Sequence, residues 1–438
     1  MTKAEKKSDL MQEFSFVEEF TSKDKGAYLQ TLEKTAADIY KKTPFPDAKT
    51  DGWRKIKLEG FAPQQYKLSG TAITWVDKPM FPKDSVLQNA IRVERRLTKD
   101  GMQVYSEILP EMGAQFTYID GTENPLPLKV VERFGTVVQP QKGKFAAFSH
   151  AFSTHRSALY IQKDQKIERP IEILDSYDGD TIVFPTSTLI YLERNAFATI
   201  LRNQSSINSS AYFHSGALEV YLEEGASLEL IDIKDENAKA WNIQNEDASL
   251  ETNANLNWFV LTKGGKFSKL DLSVYLKGRA SQAQVTGLFL PKDEQQIYYD
   301  TFQKHLAPQT ESDLLFHGVI DDKSRSIWQG MVFIDEEAGQ SNGYQANHNL
   351  VLNKAAKVDS IPGLEILTDD VRCSHGVTIK NIDDEQLFYL KSRGIDREQG
   401  EELIITGFIR QAVARIRSEN VKEMISKKFI SKINKDML

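Results

Sequence analysis

The chain has 438 residues, 40% of them hydrophobic, and a formal net charge of −7 from 55 Lys and Arg against 62 Asp and Glu. That acidity argues against nucleic acid as a partner, since phosphate backbones need a basic surface. No apolar run approaches the roughly 18–20 residues needed to cross a bilayer, and the N-terminus lacks a secretory apolar stretch. One cysteine permits no intrachain disulfide, so a cytoplasmic protein is expected. The length predicts two or three domains.

The N-terminal region begins with a helical pattern over residues 1–42. Apolar residues recur four apart within 26–43, and the Pro-Phe-Pro segment at 44–46 ends the pattern because proline lacks the backbone donor. The segment 84–97 also predicts a helix. The segment 134–144 precedes a change to short alternating apolar segments, which predicts the end of a helix-rich domain at about residue 140.

From about 145 the sequence consists of short alternating segments such as SALYIQ (157–162), TLIYLE (188–193) and LDLSVYL (270–276). Period-2 alternation predicts strands with one buried face. Leu228 and Leu230 share a face, whereas Ile231 and Ile233 fall on the other, and this switch predicts a bend or a bulge. The pattern alone leaves a sandwich, a barrel and a β-solenoid open.

After residue 381 the pattern is helical again. Asp383 or Asp384 can cap a helix that Gly394 stops, and Asp396 can cap the next one. Apolar rows occur at Ile405, Phe408, Ile409, Ala412 and Ile416, and at Val421, Met424, Ile425, Phe429, Ile430 and Ile433. These rows fit an internal bundle or, in part, a docking surface for a partner.

The familiar enzyme motifs are weak or missing. No phosphate-cradling Gly-x-x-x-x-Gly-Lys-Ser/Thr occurs, which argues against ATP hydrolysis. GQSNG (339–343) matches the hydrolase pattern around Ser341, but the next residues, YQANHNLVL, lack a convincing helical pattern, so a loop between strands is expected. His150 and His155 have zinc-like spacing without the accompanying cysteines and are expected to be ordinary residues.

Cys373 and His375 are the one pair of ligand types that spacing brings together. On a strand, residues i and i+2 face the same side, so the thiol and the imidazole would be near neighbours. Iron–sulfur clusters and tetrahedral metal ions typically bind about four ligands, so this pair is half of a site that a second chain would complete. The alternative is a buried cysteine beside an incidental histidine.

The residues around this pair resemble a known family. DDVRCSHGVTIKNIDDEQLFYLKSRGI (369–395), GYQANHNL (343–350) and PGLEI (362–366) closely resemble blocks of the SufB/SufD family of iron–sulfur cluster assembly proteins. The segment 145–173 also resembles the family, and WRKIKL (53–58), in the part before about residue 140, resembles it more weakly. Val377 stands where the family often has Ala. SufB-type chains are longer and usually carry extra cysteines, so the single cysteine resembles the SufD branch.

The resemblance implies a mainly β fold, a right-handed parallel β-helix over 141–381, flanked by the N-terminal domain (1–140) and a C-terminal helical domain (382–438). It implies a non-enzymatic subunit of a complex of one SufB, one SufD and two SufC, in which SufC is the ATPase. SufB would pair through the β-helix, with a homodimer possible in isolation. SufC would dock on the C-terminal helices, with Phe388, Leu390, Arg393, Ile405, Phe408 and Ile409 as candidate contacts.

The resemblance also implies a role for the ligand pair. His375 would face a SufB cysteine at the nascent-cluster site, with Cys373 second in importance, and the iron–sulfur cluster would be transient and shared with SufB. Two alternatives remain: a polysaccharide-acting β-helix enzyme, and a purely structural homodimeric scaffold in which the pair is incidental.

Overall fold

The computed structural model describes residues 12–18, 26–81, 87, 89–108, 110–119 and 126–427. Within these residues, no helix is both long enough and apolar enough to span a membrane.

Two long sheets dominate the fold, and the chain alternates between them. Sheet 1 has the strand order β20-β18-β16-β14-β12-β10-β8-β6-β5, with β1 beside β8, and sheet 2 has the order β2-β4-β3-β7-β9-β11-β13-β15-β17-β19-β21. From β6 onward every pairing within a sheet is parallel, so each pair of consecutive strands forms one coil of a solenoid. The predicted mainly β solenoid with helices at both ends is therefore confirmed; its right-handedness stays a prediction.

The strands keep nearly constant length through the solenoid. Their bounds are β1 Lys67–Leu68, β2 Ala72–Trp75, β3 Ile91–Thr98, β4 Gly101–Ser106, β5 Ala114–Tyr118, β6 His155–Ile161, β7 Ile171–Asp178, β8 Ile182–Leu192, β9 Phe197–Ser206, β10 Tyr212–Leu222, β11 Ser227–Asp235, β12 Trp241–Leu250, β13 Asn255–Thr262, β14 Phe267–Leu276, β15 Gln282–Phe289, β16 Gln296–His305, β17 Glu311–Ile320, β18 Arg325–Ile334, β19 Asn342–Val351, β20 Lys357–Ile366 and β21 Arg372–Asn381.

The repeat length varies from coil to coil. Trp241 lies beside Phe267, 26 residues on, whereas Arg325 lies beside Lys357, 32 residues on. Loops of unequal length absorb this difference, so no fixed period appears in the sequence. The register is instead held by backbone pairing and by the inward-facing side chains.

One turn of each coil contains a residue in the left-handed conformation. Asn195, Asn253 and Ala280 have φ between 56° and 58°, and Gly225 occupies the same place with φ 68°. Each donates its N–H to a carbonyl of the next coil, as in Asn195 to Glu224 at 3.0 Å. Asn and Gly tolerate this conformation, which explains why they punctuate the sequence here.

The interior combines apolar layers with a buried column of charges. Leu218, Val220, Leu228 and Leu230 belong to its large apolar cluster. Beside that cluster, Arg202 Nε donates to Asp175 at 3.3 Å, and other charged side chains from neighbouring coils continue the column. Paired charges of this kind are costly to separate because each would remain buried without a partner.

The predicted bend after Leu230 is wrong. β11 runs unbroken from Ser227 to Asp235, in continuous register with both neighbours. Leu230 packs in the interior, whereas Ile231 and Ile233 pack outside under the C-terminal helices. Both faces of the strand are buried, and this is why the alternation breaks down.

The region before residue 140 is richer in strands than the sequence indicates. The predicted helix over 84–97 is wrong, because β3 occupies 91–98 and pairs with β7 as an additional strand of sheet 2. The helices are α1 Ala27–Lys42, α2 Leu128–Val131, α3 Lys144–Ala151, α4 Asp384–Ser392, α5 Arg397–Val413 and α6 Glu419–Ile425. Residues 1–11 and 19–25 of the predicted N-terminal helical stretch lie outside the described residues, and the boundaries at 140 and 381 stay predictions.

The C-terminal helices pack on the outer face of sheet 2. Ile409 and Val421 are fully buried in one cluster with Phe259 and Leu288 of the solenoid. The carboxylate of Glu229 accepts the backbone N–H of Ser418 at 3.1 Å and fixes the start of α6. Phe429, Ile430 and Ile433, which the sequence assigns to the last helix, lie outside the described residues.

Candidate functional site

Cys373 and His375 lie on β21, the last strand of sheet 2. Among the described strands, β21 has β19 as its one neighbour, so its other edge is unpaired. The register sets Cys373 beside Gly343 and His375 beside Gln345. Gly343 and Gln345 are buried, so by alternation the thiol and the imidazole are on the inward side of the strand, as the spacing predicts.

The thiol is half-buried at the end of a small apolar cluster. Cys373 packs against the cluster of Val332, Ile334 and Ala338. A Cβ on Gly343 would lie 3.4 Å from its Sγ, so this glycine leaves the space beside the sulfur open. Burial raises the pKa of the Cys373 thiol, so it is mainly protonated at neutral pH and must lose its proton to bind a metal.

His375 is exposed, although it points to the same side as the thiol. Its neighbour Gln345 is fully buried and donates from Nε2 to the carbonyl of Gly363 at 2.8 Å, which ties β19 of sheet 2 to β20 of sheet 1. The difference between the two positions arises because, among the described strands, no further coil covers β21. A side chain that would be interior one coil earlier is therefore presented to solvent.

The pair is not completed within this chain as described. Among the described residues, no three His, Cys, Asp or Glu side chains come together in a metal-binding group. An imidazole and a thiol supply two of the roughly four ligands that clusters prefer. The arrangement can therefore contribute half of a site to an interface, and it offers no closed metal centre of its own.

Apolar side chains surround the pair at this open end of the solenoid. Val377 and Ile379, on the same side of β21, are 40% and 49% exposed. Ile366 and Leu367, at the end of β20, are also exposed, as is Tyr344 of β19. An unpaired strand edge beside apolar surface is a site for pairing with another chain. The sequence did not mark these residues as a surface, because alternation shows which side faces inward and not where the solenoid stops.

The remaining motifs have structural roles. His150 is buried, with Nε2 2.7 Å from the Val138 carbonyl oxygen, and burial lowers its pKa to about 3. Ser341 lies in the loop before β19 and its hydroxyl bonds that of Thr310 at 2.8 Å, so it is not on the strand-to-helix turn of a nucleophile. The loop between strands that the sequence predicts at GQSNG (339–343) is confirmed.

The predicted docking contacts fall into two groups. Ile405, Phe408 and Ile409 are buried against the solenoid, and their part in docking a partner stays a prediction. Their apolar row serves the intramolecular contact, which the pattern alone had left open. Phe388 and Arg393 are exposed, and Leu390 is half-buried.

A different apolar surface lies between α4 and α5. A cavity of about 490 Å³ has Tyr389, Leu390, Leu403 and Ile404 among its lining residues. Tyr389 and Leu403, which the sequence analysis missed, are more than half exposed. They lie on the helix faces turned away from the solenoid, and only the packing of the helices shows which face that is.

Comparison with known proteins gives a consistent family. The model of the SufBD core domain of SUF-system FeS cluster assembly matches residues 176–408. The chain is 30% identical to the Escherichia coli iron–sulfur cluster assembly protein SufD over 234 residues, 53% of this chain and 55% of that protein, so this match spans about half of the relative. It is 24% identical to Bacillus subtilis SufB, over 73% of this chain and 70% of that one.

A SufBD family protein of Mycobacterium leprae is 27% identical over 63% of the chain and 72% of its own length. The family model covers more than half of the chain, including most of the solenoid, β21 and much of the C-terminal helices. The chain therefore belongs to the SufB/SufD family of iron–sulfur cluster assembly proteins.

Proposed function

We propose that this chain is a SufD-type subunit of a cytoplasmic SUF assembly complex of one SufB, one SufD and two SufC. It contributes half of a nascent-cluster site, docks the SufC ATPase through its C-terminal helices and catalyses no reaction itself. The iron–sulfur cluster is its cargo, held transiently with SufB. Support comes from the family, from the similarity to the E. coli SufD and from the single cysteine.

The observation that carries the proposal is the open end of the solenoid. His375 and Cys373 lie there on one side of an unpaired strand edge, within an apolar patch, and no described residue completes their ligand set. A partner strand at this edge would cover Val377 and Ile379 and bring its own ligands to the pair. An interface and half of a site thus occupy the same few residues.

The two ligands are unequal. An exposed imidazole offers a lone pair with no change in its surroundings. The Cys373 thiol packs against apolar side chains and its pKa is raised, so its use as a ligand first requires loss of a proton. His375 is accordingly the principal ligand and Cys373 the secondary one.

The test compares complexes containing His375→Ala, Cys373→Ser and the control Thr378→Ala, a change at an exposed residue of β21 on the other side of the strand. Each is co-purified with SufB and SufC at verified stoichiometry, and iron, sulfide and transfer to an apo-acceptor are measured. Loss of a ligand from a shared cluster is expected to reduce assembly about tenfold or more in His375→Ala, less in Cys373→Ser, and not in Thr378→Ala. Unchanged assembly by an intact His375→Ala complex would leave the chain a purely structural scaffold.

A further inference from the structure

A basic cleft lies away from the cluster site, where the strands of sheet 1 begin. It encloses about 1000 Å³ between the first residues of β16, β18 and β20 and the N-terminal segment near Lys57. Its walls carry Lys266, Lys323, Arg325 and Lys357 in a chain that is acidic overall. Like charges gathered in this way attract an anionic ligand to one place on the surface.

These cations differ from others on the same face. Lys55 pairs with Asp359 at 2.6 Å, and Lys142 pairs with Asp247 at 2.5 Å. Lys266, Arg325 and Lys357 form no such ion pair: among the described residues, no carboxylate lies within 4.0 Å of their charged nitrogens. The half-buried Arg325 also has an Nε with no hydrogen-bond partner in the described structure.

The register brings two of the charges directly together. Arg325 and Lys357 are cross-strand partners, so their backbones are about 4.8 Å apart. Like charges placed opposite each other on neighbouring strands destabilise a sheet. An anionic group lying across both positions would remove that repulsion.

The lining favours a peptide over a nucleotide. Among the described residues, the walls of the cleft carry no aromatic side chain on which a base would stack, and the apolar contribution comes from Ala238 and Ala355. Glu59, Asp293 and Glu294 line the same cleft, so its charges are mixed and suit a segment that carries hydrogen-bond donors as well as carboxylates. From β14 to β20 there are three strand spacings, about 14 Å, which about four residues of extended chain would span.

We propose that this cleft binds an acidic, extended segment of a partner protein. The carboxylates of the segment lie along Lys266, Arg325 and Lys357, and its backbone runs across the beginnings of the sheet 1 strands. The proposal does not depend on the cluster site at β21, so either can fail without the other.

The test uses the full chain and a fluorescein-labelled peptide of alternating Glu and Gly, with a Lys-Gly peptide as the charge control. Binding is followed by fluorescence anisotropy at about 0.05 M and 0.2 M NaCl, since exposed charge pairs weaken as the Debye length shortens. The variants are Arg325→Glu with Lys357→Glu, and Arg194→Glu as a matched reversal of an exposed arginine at the opposite turns. Circular dichroism confirms that each variant is folded.

Saturable binding of the Glu-Gly peptide is expected. The double reversal should weaken it at least about tenfold because two attractive contacts become repulsive, whereas Arg194→Glu should leave it within about twofold. Three results would overturn the proposal: no binding at roughly millimolar peptide, an equal loss in Arg194→Glu, or equal binding of the Lys-Gly peptide. Displacement by tripolyphosphate at concentrations well below the dissociation constant of the peptide would assign the cleft to a small phosphate ligand instead.

Discussion

Phe388 is the sharpest test of the proposed ATPase docking surface. It is 75% exposed in a helix that is otherwise held by its contact with α5. A phenylalanine side chain buries about 150–250 Å² when covered, so about 150 Å² is left for a partner, worth at most about 4 kcal/mol at ~25 cal/mol/Å². Alanine retains part of that area, and we expect Phe388→Ala to cost about 2–3 kcal/mol, as at an interface hot spot.

The assay is the dissociation constant of the SufC ATPase for the purified chain, measured by calorimetry. A loss of about 2–3 kcal/mol raises that constant roughly 30–150-fold. Leu128→Ala is the matched control, since Leu128 is 67% exposed but lies on α2. An affinity for Phe388→Ala within about twofold of the unmodified chain would refute the reasoning, as would an equal loss in the Leu128→Ala control.

Three further predictions concern other parts of the molecule. Val377→Asp should lower self-association or pairing with SufB at least about tenfold, measured by analytical ultracentrifugation, because it buries a charge at the open end; unchanged association would place the interface elsewhere. Burial raises the pKa of Glu219 to about 7 from 4.5. The protonated carboxyl therefore stabilises the fold fully below pH ~4.5, and up to about 3 kcal/mol of the free energy of unfolding is lost as the pH rises through about 7. Glu219→Gln should remove that part of the slope in urea titrations from pH 5 to 8, and an unaltered slope would contradict the assignment. Ala280→Gly should raise the free energy of unfolding by about 1 kcal/mol, seen as a higher urea midpoint, because Ala280 has φ 57°, whereas Ala283→Gly inside β15 should lower it.

The sequence predicts the strands better than the connections between coils. Alternation finds β10 because Leu218, Val220 and Leu222 point into the core while neighbours are polar. It fails at β11, where Ile231 and Ile233 pack under helices more than 170 residues later in the chain. A one-dimensional pattern cannot show which outer faces are covered, and family resemblance decided among the sandwich, the barrel and the solenoid that alternation left open.

The same limit applies to the candidate site. Spacing predicts that Cys373 and His375 share a side of a strand, but their different exposure depends on where the solenoid ends. It likewise finds the apolar rows of α5 without showing that Ile409 faces the solenoid and Leu403 faces solvent. Residue type predicts the chemistry here, whereas accessibility is a property of packing.

The two ends of the solenoid are built differently, and the difference itself argues for a partner. At the N-terminal end, β3, β4 and β5 extend the sheets, and Val93, Val104 and Phe116 fill the interior so that it is closed by the chain itself. At the C-terminal end, the last coil leaves Val377 and Ile379 exposed. An open, apolar strand edge is a liability for aggregation unless something covers it. Among the described strands, β20 and β21 both have an unpaired edge at this end, and β21 carries His375.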